Sequence, residues 1–236
     1  MNNLQQTERE KGVLRWGGLA GILGSFIFIL VFIVVIVFVG EDPAELTGWV
    51  ERFPNIRMAR AVENGGYLLV LILWVPHFLA LYVALRRTSL APALFGSGLG
   101  ILGLTVLAAG ALPHVATTPL SDLYHMPGAT PADQAALALM WQATWGIFDS
   151  LLFTGLVIVA VGITTLGAAM LRTPAFGKVV SWLSVVIGVL GVAAGVVLLI
   201  DPGSLIAVVN VLSLILFHFA LGWKVYNLSK SFTSVP

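Results

Sequence analysis

Five apolar runs, at 16–40, 66–85, 92–113, 179–200 and 204–226, alternate along the chain with short polar stretches. Each supplies the ~20 residues that a helix needs to cross a hydrocarbon core ~30 Å thick. A sixth stretch, 131–171, is too long for one simple span at ~1.5 Å per residue. Thr130 followed by Pro131 and Asp133 predicts a helix start, with a capping hydroxyl, proline at the first helical position and an acid in the first turn. From there the helix either lies along the outer interface or stands above it, and its membrane-crossing part runs over 147–171. The pattern predicts an all-α bundle of six transmembrane spans in one membrane domain covering 1–236, with outer loops at 41–65 and 114–146.

Charge orients this bundle. Arg9, Lys11, Arg15, Arg86, Arg87, Arg172, Lys178, Lys224 and Lys230 fall on one side of a six-span chain, and only Arg52, Arg57 and Arg60 on the other. Lys and Arg are enriched in short cytoplasmic loops, so both termini are expected in the cytoplasm. The first apolar run is longer than the hydrophobic region of a signal peptide and reads as a retained span. The first outer loop mixes the three outer arginines with Glu41, Asp42, Glu45, Glu51 and Glu63, the composition of a solvated amphipathic loop helix.

Composition agrees with the pattern: 58% of residues are hydrophobic, 10% are charged and mean hydropathy is +0.99, against ~25% charged residues in a soluble domain. A net charge of +1 gives no field for nucleic acid, which is excluded as a partner. With no cysteine, thiolate and iron–sulfur chemistry are excluded as well.

Helices in lipid associate through close backbone approach at small residues. Ser181, Ser184, Gly188, Gly191 and Gly195 draw one such seam, Gly96, Gly103 and Gly110 a second, Gly17, Gly21 and Ser25 a third, and Gly155, Gly162 and Ala169 a fourth. They predict packing within the bundle, with contact to other membrane subunits or a second copy as the alternative use. In the second span Pro76 removes a backbone donor, and a kink is expected there.

Ionisable side chains at bilayer depth are functional candidates by default. Glu63, Tyr67, Trp74 and His77 share an arc of ~80° on one helix. Asn210, Ser213 and His218 lie on the sixth span, and the two histidines sit at depths of ~18 and ~21 Å from the outer ends. Two imidazoles at matching depth on different helices could ligate a haem iron, although nothing in the sequence makes those helices neighbours. The alternatives are structural imidazoles satisfied by a neighbour, and proton or small-ligand handling. On the outer side, His114, Asp122, His125 and Asp149, with Asp133 nearby, carry the donor types of a metal site for hydrolysis, at spacings that match no metal-binding motif. No phosphate loop, nucleophile elbow or intramembrane acid pair is present, and no internal repeat suggests a transporter.

The segments "LRWGGLAGILGSF", "IRMARAVENGGYLLVLIL", "LALYVALRRTSLAPALFG" and "LSLILFHFALGWKVY" look like a widespread bacterial family of small multi-spanning membrane proteins, catalogued only as a domain of unknown function. The resemblance covers most of the chain and implies a prokaryotic cytoplasmic membrane. It brings no catalytic residues, and at His77 the family is expected to carry a generic or acidic residue. The residues favour a non-enzymatic component in contact with the bilayer, either an accessory subunit or a small-ligand-binding protein. A redox protein with haem on His77 and His218 is the alternative, and a metal-dependent membrane hydrolase the third reading.

Overall fold

The computed structural model describes residues 3–40, 43 and 45–231. Glu41 and Asp42, assigned to the first outer loop, lie outside the described residues. The chain forms six long helices and no strand among those residues: α1 (Asn3–Val34, continued by a π-helical turn, Val35–Val39), α2 (Leu46–Leu85), α3 (Leu90–Tyr124), α4 (Pro131–Leu171), α5 (Lys178–Ile200) and α6 (Ile206–Ser231). All six are long and apolar enough to cross a membrane, which makes the chain a multi-pass membrane protein. Each helix packs on its sequence neighbours, α6 closes the ring against α1, and α2 also touches α4 and α6.

The seams work as expected. A Cβ at Gly162 would stand 2.7 Å from both the Gly100 nitrogen and the Gly96 carbonyl oxygen, so α3 and α4 meet backbone to backbone. Gly18 and Gly222 let α1 and α6 approach in the same way. Exposed Trp16, Trp182 and Trp223 ring the end that bears the termini, as an interfacial aromatic belt does. At this terminal end Glu10 is buried and accepts hydrogen bonds from Arg86 (2.7 Å) and Arg87 (2.8 and 3.0 Å), fastening the start of α1 to the α2–α3 turn.

At the opposite, distal end the spanning helices continue through the stretches assigned to outer loops, where an amphipathic loop helix and a helix start at Thr130 were expected. Most of 41–65 and 114–146 is helix: α2, α3 and α4 extend to 40, 35 and 41 residues, or about 60, 52 and 61 Å at 1.5 Å per residue. Their distal ends exceed a hydrocarbon core of ~30 Å and pack as a three-helix cap. Val50 and Phe53, Leu120 and Tyr124, and Ala138 and Trp141 form its separate core. Tyr124 donates to Glu51 (3.0 Å), and Arg57 pairs with Asp122 through two hydrogen bonds of 3.1 and 3.0 Å. α4 is continuous, starting where Thr130, Pro131 and Asp133 indicated: the Thr130 hydroxyl accepts from the Asp133 amide while the Asp133 carboxylate accepts from the Thr130 amide. α2 likewise runs unbroken through Pro54 and Pro76.

Candidate functional site

Two places concentrate polar side chains inside the apolar bundle. The first lies within the spans, where α1, α2 and α6 meet. His77 and His218 are both fully buried and touch, with ring centroids 5.0 Å apart and planes at 64°. The His77 Nδ1 lies 3.1 Å from the Gly17 carbonyl oxygen, so its proton belongs on Nδ1 for a bond to form, leaving Nε2 as a lone pair. Trp74 lies parallel to His218 at 3.9 Å, and Phe78 and Phe217 close in at 5.2 Å each. Room for this cluster comes from α1: a Cβ on Gly21 would stand 2.5 Å from His77 Nδ1, and one on Gly24 2.6 Å from Trp74 Nε1. The glycine row of the first span thus serves the histidine of the second, a relation that neither helix reveals alone.

Haem does not fit these rings as packed. Axial imidazoles flank a macrocycle on its opposite faces, whereas His77 and His218 are in contact with each other and a tryptophan covers one face of His218. Among the described residues, His77 Nε2, both ring nitrogens of His218 and Trp74 Nε1 have no hydrogen-bond partner. The cluster is best described as aromatic packing at the meeting point of three helices.

The second place is the boundary between the spans and the distal cap. Here α2 supplies Glu63, Asn64 and Tyr67, α3 supplies His114, α4 supplies Phe148, and α1 lays Phe28, Val31, Phe32 and Val35 across from them around a cavity of about 150 Å³. Val35 opens the π-helical turn of α1, a distortion often found at functional sites. An adjoining cavity of about 390 Å³ between α2 and α3 shares Asn64 and His114 and adds Arg57, Arg60 and Leu68. Glu63 pairs with Arg60 at 3.0 Å, with side chains only 19% and 11% exposed. The Arg60 guanidinium sits 5.2 Å over the Trp145 ring. Tyr67 donates to the Leu107 carbonyl (3.3 Å). His114 is buried against Trp145 and Phe148 at 5.0 and 5.4 Å, and its Nε2 has no hydrogen-bond partner among the described residues.

The structure regroups the sequence candidates. Glu63 and Tyr67 share this cavity, but Trp74 belongs to the histidine cluster, and buried Asn210 lies toward Gly191 of α5. The set His114, Asp122, His125 and Asp149 is not assembled: no group of three or more His, Asp or Glu among the described residues converges on a metal position. The reason is the continuity of α3, which places Asp122 and His125 about 12 and 16 Å along the axis from His114 at 1.5 Å per residue. Asp122 is taken by Arg57, and His125 turns back on its own helix, with Nδ1 2.9 Å from the Ser121 carbonyl oxygen. Sequence reading missed Arg60, Asn64, Phe148 and the α1 wall. The signal available for Arg60 was its spacing of three from Glu63, which places the two side by side on a helix.

Comparison of the chain with protein-family models, with curated proteins and with solved structures finds no match. Function therefore has to be argued from the site itself.

Proposed function

We propose that this protein is a non-enzymatic membrane component that binds a small amphipathic ligand in the distal boundary cavity, with the distal cap outside the cytoplasm and both termini inside. The observation that carries the reading is the cavity itself: an apolar wall of α1 faces Glu63, Asn64, Tyr67 and His114 at the level where spans give way to cap. Concave, mostly apolar sites with a few convergent polar groups are the usual form of small-molecule sites. The orientation is supported by nine of the twelve Lys and Arg residues falling at the terminal end. Ligand binding is favoured over a role as an accessory subunit because seam glycines such as Gly18, Gly162 and Gly222 are occupied by contacts within the bundle.

The test is photolabelling in phosphatidylcholine vesicles with a long-chain alcohol that carries a diazirine. Label is expected on Phe28 and His114, which are buried from lipid at 8% exposure each. Label confined to outward-facing residues such as Leu30 and Leu112 would sink the proposal.

A further inference from the structure

We infer that the outward face of α4 is where two copies of this chain pair, side by side and in parallel. Ala136, Met140, Ala143, Ile147, Ser150 and Thr154 are all exposed and follow one another at alternating steps of four and three. That alternation is the heptad spacing by which one helix face meets a partner helix. Small Ala136, Ala143 and Ser150 take one of the two seam positions, and the bulkier Met140, Ile147 and Thr154 take the other. Further along the helix the same face continues through Val161, Thr165 and Ala168.

Much of this face stands in water. Gly195 of α5 packs on Val157 of α4, and α5 ends five residues later at Ile200, so the apolar layer ends near residue 152 of α4. Met140 stands ~18 Å beyond that level at 1.5 Å per residue, past a headgroup layer of ~5–8 Å. Even so, Leu139, Met140 and Ile147 are 59%, 55% and 55% exposed. Asp133 and Asp149 are the only charged residues of α4. The first is engaged in the cap with Thr130, and the second lies ~140° round the helix from Ala136. An uncharged apolar surface held in water marks an interaction site. It is widened at the α3–α4 turn by a groove of about 410 Å³, where Leu123 and Met126 flank Ala136 and Met140. Within the span a second groove, of about 390 Å³, sets Val161 and Thr165 beside Val189 and Ala193 of α5.

Charge, symmetry and area identify the occupant as a second copy. A face without charge is matched by another without charge, and this chain carries one of the right length on both sides of the membrane boundary. Two copies inserted the same way are related by a twofold axis along the membrane normal, which brings each residue of the face to the level of its own counterpart. The two α4 helices are then parallel, as a heptad seam of this kind allows. The Ser150 and Thr165 hydroxyls donate to the Gly146 and Val161 carbonyls of their own helix, each at 2.8 Å, so covering them strands no donor. From Ala136 to Ala168 the face is ~48 Å long and ~10 Å wide. Pairing it buries on the order of 500 Å² per copy, which reaches the ~1,000 Å² in total that a specific interface needs.

Single cysteines in this cysteine-free chain, oxidised mildly in native membranes, test the pairing. Ala136→Cys and Ala143→Cys should each give a disulfide-linked species of twice the chain mass, because a disulfide needs Cα atoms within ~4.4–6.8 Å. Asn55→Cys, exposed on α2, should give none. Wild-type protein should be dimeric by native mass spectrometry. Met140→Glu and Met140→Lys, each alone, should raise the dissociation constant at least about tenfold, since like charges then face each other. Their circular dichroism should be unchanged, because residue 140 is exposed. Mixing the two variants should restore the dimer, which happens only if residue 140 meets its own counterpart. A monomeric wild-type mass, equal cross-linking at Asn55→Cys and Ala143→Cys, or dimers that persist in both Met140 variants would each overturn the inference. So would a disulfide from Ala143→Cys to a different protein, which would make the occupant another subunit.

Discussion

Substituting Gly162 by alanine tests whether backbone contact between α3 and α4 holds this bundle together. The added Cβ would meet the Gly100 nitrogen and the Gly96 carbonyl oxygen at 2.7 Å, and the Gly100 Cα at 3.1 Å. Those neighbours are backbone atoms, with no rotamer to turn away, so the two helices must separate by several tenths of an ångström along their contact. Overpacking of this kind costs about 1–3 kcal/mol. Alanine also gains up to about 1 kcal/mol over glycine in a helix interior, so the variant needs a reference that shares the gain. Gly98, on the same α3, has nothing within 4 Å of a built Cβ. Gly98→Ala should therefore hold or raise stability, and the two variants should differ by about 1–3 kcal/mol, since the propensity gain cancels between them. The assay is equilibrium unfolding of the detergent-solubilised protein by titrated dodecyl sulfate, followed by far-ultraviolet circular dichroism. Equal midpoints for the two variants would refute the claim that α3 and α4 are in backbone contact.

Other predictions concern the two ends and the interior. Because the chain has no cysteine, single cysteines report topology: Ala132→Cys at the distal end should react with an impermeant maleimide on intact cells and Ala175→Cys at the terminal end should not, and the reverse pattern would invert the orientation. Glu10→Gln should lower stability by about 1 kcal/mol, since the 33% and 61% exposure of Arg86 and Arg87 lets solvent screen the pairs; an unchanged thermal midpoint would show that the terminal fastening is not energetic. Purified from haem-replete cells, the protein should show no Soret band in an oxidised-minus-reduced spectrum, and a band lost in both His77→Ala and His218→Ala would overturn the packing argument.

Much of the fold was legible because hydrophobic length translates directly into spans. The cap was not, although its signal was present. Val50 and Phe53, and Leu120 and Tyr124, recur at helical intervals, and Trp141 follows Ala138 by three. Interleaved charges made the stretch around Val50 and Phe53 read as a solvated loop helix rather than a packed one, and Pro54, Pro113 and Pro119 are accommodated inside continuous helices. The metal set failed for the same reason, since residues drawn together in an imagined loop are held apart on a rod.

Length and apolarity of the runs determined the number of spans, and the small-residue rows determined which helix faces would approach closely, because both are local properties of consecutive residues. The start of α4 was equally local, written in Thr130, Pro131 and Asp133. Only the tertiary structure decided that His77 meets His218 beneath a glycine row of α1, and that Glu63 and His114 share one cavity with an apolar wall from a third helix. These relations depend on which helices are neighbours and at what rotation and height they pack. Single-helix periodicity carries no information about that, because a face that is polar or small says that it will be covered but not by which partner.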